Sequence, residues 1–85
     1  MNHEFSKHSL EQMEIRNISK DTVLRILENS DQVEEVNGKK IYQSIVEIGS
    51  KKYLIRVFVN IEKKPNLIVT VYKTSNIKKF YEGKI

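Results

Sequence analysis

The period of the hydrophobic pattern changes once along this chain, near Gln32, and that change limits the folds it can adopt. Before it, apolar residues recur at the spacing of amphipathic helices. After it, they alternate with polar residues as in half-buried β-strands. Asn37-Gly38 lies inside the alternating part and is typical of a type I′ hairpin turn, whose central residues need positive φ. The pattern therefore predicts helices first and antiparallel strands afterwards.

Two short helices are predicted in the first part. Ser6 can cap a helix over residues 7–16, and Asn17 is a suitable break after it. Ser19 can cap a second helix over residues 20–28, which carries a broad apolar face.

Four strands are predicted after the helices, at residues 32–36, 40–48, 52–60 and 67–73. Tight turns join them into an antiparallel meander without a parallel crossover, and residues 77–81 form a last helical turn or a frayed tail. The expected fold class is α+β, with two N-terminal helices packed on a four-stranded antiparallel sheet. Residues 1–85 suit a single domain.

The strand alternation separates an apolar face from a mixed one. Tyr53, Ile55, Val57 and Val59 oppose Leu54, Arg56, Phe58 and Asn60, while Leu67, Val69 and Val71 oppose Ile68, Thr70 and Tyr72. We expect the aliphatic sets under the helices. The mixed sets, with Arg56, Thr70 and Tyr72, would then face a groove or solvent, where a polar ligand can bind.

The net charge of +4 is unevenly distributed. Residues 1–36 contain four lysines and arginines against eight acidic residues, a balance of −4; residues 37–85 contain eleven against three, a balance of +8. A basic second half attracts phosphate backbones by counterion release. The lysine doublets could equally serve solubility and protect strand edges.

Several functional classes lack support in the sequence. The chain has no cysteine, no apolar signal core and no membrane-length apolar run, which favours a cytoplasmic location without membrane contact. No phosphate-binding glycine loop or nucleophile elbow is present, and His3 and His8 lack metal-ligand spacing. We expect neither a metal nor another cofactor.

His8, Gln12 and Arg16 lie along one face of the first predicted helix. An imidazole can move a proton at a ribose hydroxyl, and a guanidinium can hold a phosphate through two hydrogen bonds. The alternatives are structural: His8 can pack beside Ile15, and Arg16 can pair with a nearby carboxylate. Gln12 would position the other two or be an ordinary surface residue.

Arg56 interrupts an apolar strand, so it must be paired or lie over a groove. Thr70 and Tyr72 on the neighbouring strand can add hydroxyl groups to the same patch, although both residues also favour β-strands. Lys51 and Lys52 can bind a phosphate backbone from the preceding turn.

The segment from Phe5 to Met13, together with Arg16-Asn17-Ile18-Ser19, resembles the opening of a prokaryotic family known as domain of unknown function 4258. That family's usual pattern is His-Ala-x-x-Arg-Met-x-x-Arg-x-Ile-Ser. Asn29-Ser30-Asp31 and the later stretch from Val69 to Tyr72 also fit. His8 and Arg16 match the family's histidine and arginine, whereas Gln12 replaces an arginine and so removes one cation.

The family is similar to the RelE and BrnT toxins of toxin–antitoxin systems, which are small metal-independent ribonucleases. The resemblance implies a RelE/BrnT-like domain and an endoribonuclease that cleaves RNA by attack of the 2′-hydroxyl. His8, Arg16 and Arg56 would be catalytic, and Gln12, Lys51, Lys52, Thr70 and Tyr72 would bind substrate. The implied partners are RNA, including mRNA on the ribosome, and an acidic antitoxin protein.

Two non-enzymatic functions remain open at this point. The same basic sheet could bind RNA without cutting it, and the loss of a cation at Gln12 favours that alternative. The chain could also be a protein-interaction module without RNA affinity.

Overall fold

A computed structural model describes residues 3–81 and contains one five-stranded mixed sheet. Along the chain the elements are β1 (His3–Phe5), α1 (Lys7–Ile15), α2 (Lys20–Glu28), β2 (Gln32–Val36), β3 (Lys39–Ile48), β4 (Lys51–Asn60), β5 (Asn66–Thr74) and α3 (Ile77–Phe80). In space the strands lie in the order β1-β5-β4-β3-β2.

The expectation of two N-terminal helices on a four-stranded antiparallel, RelE-like sheet is wrong. A strand, β1, precedes both helices and pairs in parallel with β5, with His3 opposite Asn66 and Phe5 opposite Ile68. Three residues are too few to show an alternating pattern, so β1 is invisible in the sequence. Its pairing depends on a partner more than sixty residues away, which only the folded chain supplies.

The antiparallel part of the sheet follows the predicted meander from β2 to β5. Asn37 and Gly38 have φ angles of 50° and 77°, as the turn between β2 and β3 requires. The bounds of α2 and β2 agree with the predicted ones, and residues 77–80 form a helical turn rather than a frayed tail.

The end of α1 places Arg16 at an edge of the sheet. The amide of Ile18 donates to the Met13 carbonyl, the amide of Asn17 donates to the Glu14 carbonyl, and Asn17 has a φ of 56°. These two hydrogen bonds form a Schellman motif, which turns the chain sharply and allows Ile18 to pack with Met13 in the core. Arg16 is the last residue before the turn, beside β5.

The helices cover one face of the sheet. Their buried side chains pack on the aliphatic face of β4 and β5; the cluster comprises Met13, Ile18, Val23, Ile26, Leu27, Ile55, Val57, Val59, Ile68 and Val71. Ser6 fastens α1 to the sheet, because its hydroxyl caps the helix at Ser9 and donates to the Val69 carbonyl. None of the described helices is long and apolar enough to cross a membrane.

A β-bulge changes which residues of β5 share a face. Ile68 pairs with Val59 and Thr70 pairs with Phe58, so Val69 is an extra residue in the ladder. The prediction that Ile68 lies on the face of Thr70 and Tyr72 is therefore wrong. The bulge lets Ile68 enter the core while Thr70 remains on the opposite face.

Truncating the core should destabilise the fold strongly. Ile55 is 1% exposed, and we expect Ile55→Ala to lower the free energy of unfolding by about 2–5 kcal/mol because it leaves a cavity. Ile48 is 45% exposed, so Ile48→Ala should cost less than about 1 kcal/mol. Urea denaturation of both variants measures the difference; equal losses would contradict this core assignment.

His3 adds a sensitivity to acid. Its Nε2 is buried and has no hydrogen-bond partner among residues 3–81, and it lies beside a cavity of about 200 Å³ lined by Leu24, Leu27 and Glu28. Burial and, to a smaller extent, the positive N-terminus lower the pKa of His3. As the pH falls below its ordinary value of about 6.5, the unfolded chain therefore takes up this proton before the folded protein does.

We expect stability to fall with acid more steeply in the wild type than in His3→Gln, which cannot titrate at this position. Urea denaturation of both proteins between pH 7 and pH 5, a window chosen around the ordinary histidine value, measures the effect. Parallel stability curves would show that His3 has the same proton affinity in both states.

Candidate nucleic-acid interface

The sheet face opposite α1 and α2 carries cations interleaved with aromatic rings. The cross-strand register places Arg56 opposite Tyr72 on one side and opposite Gln43 on the other, and it places Phe58 opposite Thr70. The helix α3 adds Phe80 to this face, and Arg16 reaches its edge. We call this set, Arg16, Arg56, Phe58, Tyr72 and Phe80, the arginine–aromatic face.

Arg56 lies between two rings and is oriented by an amide. Its guanidinium carbon is 4.5 Å from the ring centroid of Phe80 and 5.2 Å from that of Phe58. Its Nε donates to Oε1 of Gln43 at 3.0 Å. Packing and this hydrogen bond hold the cation in one orientation, so little side-chain entropy remains to be lost when a ligand binds.

The charge of Arg56 is only partly compensated. Burial is the largest influence on its pKa and lowers it, whereas Glu34 and Tyr72 favour the charged form. An arginine keeps its proton at neutral pH despite such a shift. The side chain therefore remains a partly desolvated cation, which interacts strongly with an anion.

Gln43 joins three elements beneath Arg56. The side chain is 6% exposed, and Nε2 donates to Oε1 of Gln32 at 2.7 Å and to the backbone oxygen of Phe80 at 3.1 Å. Since Oε1 accepts from Arg56, this amide connects β2, β4 and α3. A four-residue helix is not stable by itself, so α3 depends on such contacts.

Arg16 approaches the same face from the edge of β5. Its Nη1 donates to the Lys73 carbonyl at 3.3 Å, and the Lys73 ammonium donates to the Arg16 carbonyl at 2.7 Å. The Arg16 guanidinium carbon is 4.8 Å from the Tyr72 ring centroid, and Gln12 accepts from its Nε at 3.3 Å. The predicted neighbourhood of Gln12 and Arg16 is thus present, and Arg16 lies beside Tyr72.

Tyr72 and Phe80 occupy the space between the two arginines. Their ring centroids are 6.0 Å apart with an interplanar angle of 78°, an edge-to-face contact. Arg16 lies against Tyr72 and Arg56 against Phe80, so the rings and cations form one continuous surface. Such a surface offers both stacking area and phosphate contacts.

The structure separates some residues that the sequence analysis grouped. Thr70 lies on the arginine–aromatic face, and Lys52 lies farther along it, opposite Glu47. Lys51 points to the other side, where its ammonium is 5.6 Å from the ring of Tyr53. His8 is exposed on α1, and its side chain has no hydrogen bond and no ring contact within residues 3–81.

Three contributors were missed by the sequence analysis. The alternation of its strand could have placed Gln43 on the same sheet face as Arg56. Only the register of the folded sheet establishes that the two residues are paired. Phe80 belongs to a segment predicted as a helical turn or tail. Lys73 continues the cationic surface around the edge of β5, since its ammonium is 5.2 Å from the ring of Tyr53.

Within the described residues, no group of three or more His, Cys, Asp or Glu side chains is arranged to hold a metal ion. The arginine–aromatic face presents guanidinium, phenol, hydroxyl and amide groups.

Replacing the amide of Gln43 tests how this face is held together. Gln43→Leu should lower the free energy of unfolding by about 1–3 kcal/mol, because it leaves partly buried partners unsatisfied. It should also speed hydrogen exchange at the Tyr81 amide, which bonds to Ile77 within α3. Gln12→Leu removes a more exposed amide from an arginine and serves as the control. Equal effects of the two variants would contradict the role given to Gln43.

Comparison with known proteins identifies a family for this chain. The sequence model of the family DUF4258, described as a domain of unknown function, matches residues 5–73. No curated protein and no solved structure matches the chain.

Proposed function

Because the chain belongs to the DUF4258 family, whose description assigns no activity, we propose its function from the arginine–aromatic face. We propose that the protein binds single-stranded RNA on this face and acts as a toxin-like, metal-independent endoribonuclease. The observation that carries the proposal is the pair of oriented guanidinium groups on either side of Tyr72 and Phe80. Single-stranded RNA presents phosphates to cations and unstacked bases to aromatic rings.

In the proposed complex, Arg16 and Arg56 hold neighbouring phosphates of the strand at the cleavage site. The contacts of both side chains within residues 3–81 are with rings, carbonyls and amides, so neither guanidinium is paired with a carboxylate there. Guanidinium groups can stabilise the additional charge that develops on the phosphoryl oxygens during cleavage. Thr70 and Tyr72 orient the strand beside them.

The proposed reaction needs no external co-reactant. The ribose 2′-oxygen attacks the adjacent phosphorus and gives its proton to a base, while the bond to the 5′-oxygen breaks and that oxygen takes up a proton. The products are a 2′,3′-cyclic phosphate and a 5′-hydroxyl. His8 is the proposed proton carrier, for an RNA strand that follows the edge of β5 past Gln12.

RNA binding without cleavage is the second candidate function. One observation favours it: the exposed His8 has no contact with the arginine–aromatic face within the described residues. In this case the two arginines and the rings would hold the RNA, and a second protein would act on it.

The same proposal includes the RNA that the protein acts on in the cell and the protein that inhibits it. The protein would act on cytoplasmic RNA, including mRNA on the ribosome. An acidic antitoxin would block it by covering the arginine–aromatic face, since opposite charges speed association and hydrogen-bonded charge pairs slow dissociation.

Replacing Arg56 should weaken RNA binding and remove cleavage. We expect Arg56→Ala to lower affinity for a single-stranded oligoribonucleotide about tenfold or more, as hydrogen bonds to charged groups contribute roughly 1.5–3 kcal/mol. The dependence of log affinity on log salt should become shallower by about one phosphate contact. Fluorescence anisotropy over a salt series, with a chelator present, measures both quantities.

Arg25→Ala is the charge-matched control, because Arg25 is exposed on α2, on the other side of the sheet. Gel analysis of the same mixtures distinguishes the two candidate functions. His8→Ala should retain binding and form no cyclic-phosphate product. If the wild type binds RNA without forming this product, the endoribonuclease proposal fails and the non-catalytic function is supported. RNA binding that is unaffected by Arg56→Ala but lost with Arg25→Ala would refute the proposed face.

The cationic surface should continue around the edge of β5 to Lys51. Lys73 and Lys51 flank the half-buried ring of Tyr53, so a longer RNA can reach both after leaving Arg16. Lys51→Ala should weaken binding of a twelve-nucleotide RNA severalfold and leave a four-nucleotide RNA unaffected, lengths chosen within the site sizes of single-strand binders, about 4–16 nucleotides. Lys63 lies in the loop beyond the opposite end of β4, so Lys63→Ala should change neither affinity, and isothermal titration can compare the variants.

A further inference from the structure

A cavity lies next to Arg56 on the arginine–aromatic face. Its volume is about 350 Å³, and it is lined by Gln32, Val33, Glu34, Gln43 and Phe80. Two of these residues contact Arg56 directly: Gln43 through a hydrogen bond and Phe80 through its ring. The cavity is therefore separated from the proposed phosphate-binding group, Arg56, by these two contacting side chains. Its volume is one that ligand pockets commonly have.

The lining of this cavity carries a negative charge, that of Glu34, whereas the neighbouring arginine–aromatic face is positively charged. Glu34 is exposed on the edge strand β2, and the register places it opposite Ile41, on the same sheet face as Arg56. No hydrogen bond within the described residues occupies its carboxylate. A carboxylate beside a phosphate-binding arginine repels the RNA backbone, so its place in the cavity indicates a ligand group that donates hydrogen bonds.

Among the nucleobases, guanine fits a carboxylate best. Its Watson–Crick edge carries two adjacent donors, N1–H and the 2-amino group, which one carboxylate can accept together. Adenine and cytosine each place a ring-nitrogen acceptor beside their amino donor, and uracil has a single N–H between two carbonyls. Those acceptors would face the carboxylate oxygens without a proton between them.

We propose that this cavity is a guanine-binding pocket, in which Glu34 accepts from N1–H and the 2-amino group while Phe80 provides the aromatic wall. The proposal rests on the proposed RNA binding and adds base selectivity to it. Arg56 would hold the phosphate of the same nucleotide, so base and backbone are recognised by neighbouring groups. The amides of Gln32 and Gln43 are already bonded to each other, which keeps the pocket wall in place.

The test uses oligouridylates with a single central guanosine, inosine, adenosine or cytidine. Wild-type protein should bind the guanosine oligonucleotide about tenfold more tightly than the adenosine one, within the range for a bidentate base contact. Inosine lacks the 2-amino group and should fall between them. Glu34→Gln should lose the preference for guanosine.

The direction of the affinity change in Glu34→Gln distinguishes base recognition by Glu34 from a simple effect of removing a negative charge. Glu34→Gln should weaken binding of the guanosine oligonucleotide and leave binding of plain oligouridylate unchanged or stronger, because one negative charge is gone. Glu35→Gln removes the same charge from the neighbouring residue, which points to the other face of β2 opposite Lys40, and it should retain the preference for guanosine.

Equal affinity of the wild type for all four oligonucleotides would overturn the pocket while leaving RNA binding intact, provided that Arg56→Ala still weakens every one of them. A loss of preference in Glu35→Gln equal to that in Glu34→Gln would also overturn it. Absence of salt-dependent binding to any of the oligonucleotides would refute the proposed RNA binding and, with it, the pocket.

Discussion

The helices α1 and α2 have nine residues each and cover one face of the sheet, so they leave the other face open. Most other features of the molecule follow from this one-sided cover. The aliphatic side chains of β4 and β5 pack beneath α1 and α2, so the alternate residues of the same strands must point away from them. Among the helices of residues 3–81, that second face receives only the single turn of α3. Arg56 can therefore lie in a central strand without entering the hydrophobic core.

Aromatic rings and amides accommodate the cations of the uncovered face. Phe58, Tyr72 and Phe80 contact the guanidinium groups, and each such contact contributes about 0.5–2 kcal/mol depending on its exposure. A ring stabilises a cation without neutralising it, unlike a carboxylate, so the positive charge remains available to an anionic ligand. Glu34 is the acidic neighbour that acts on Arg56, and its position in the adjacent cavity suits the recognition of a base better than that of a phosphate.

The local features of the chain were predictable to different degrees. The hydroxyls of Ser6 and Ser19 each accept from an amide three residues ahead, and Asn37-Gly38 acts through its own backbone conformation, so capping and turn chemistry located both helices and the first hairpin. The three residues of β1 carry no periodic signal, and their parallel pairing with β5 overturned the predicted four-stranded antiparallel sheet. The bulge at Val69 likewise places Ile68 in the core. Strict alternation assumes a regular ladder, so it could not predict the extra residue.

The sequence by itself determined the helix caps, the turn, the antiparallel meander and the presence of Arg56 on a mixed strand face, because these depend on nearest neighbours and on a two-residue period. Only the tertiary structure decided which distant residues meet. The Schellman turn at Asn17 brings Arg16 to Tyr72, the register brings Gln43 to Arg56, and α3 brings Phe80 between the arginines. Such contacts join residues far apart in the chain, and they arise from packing, which no local pattern records.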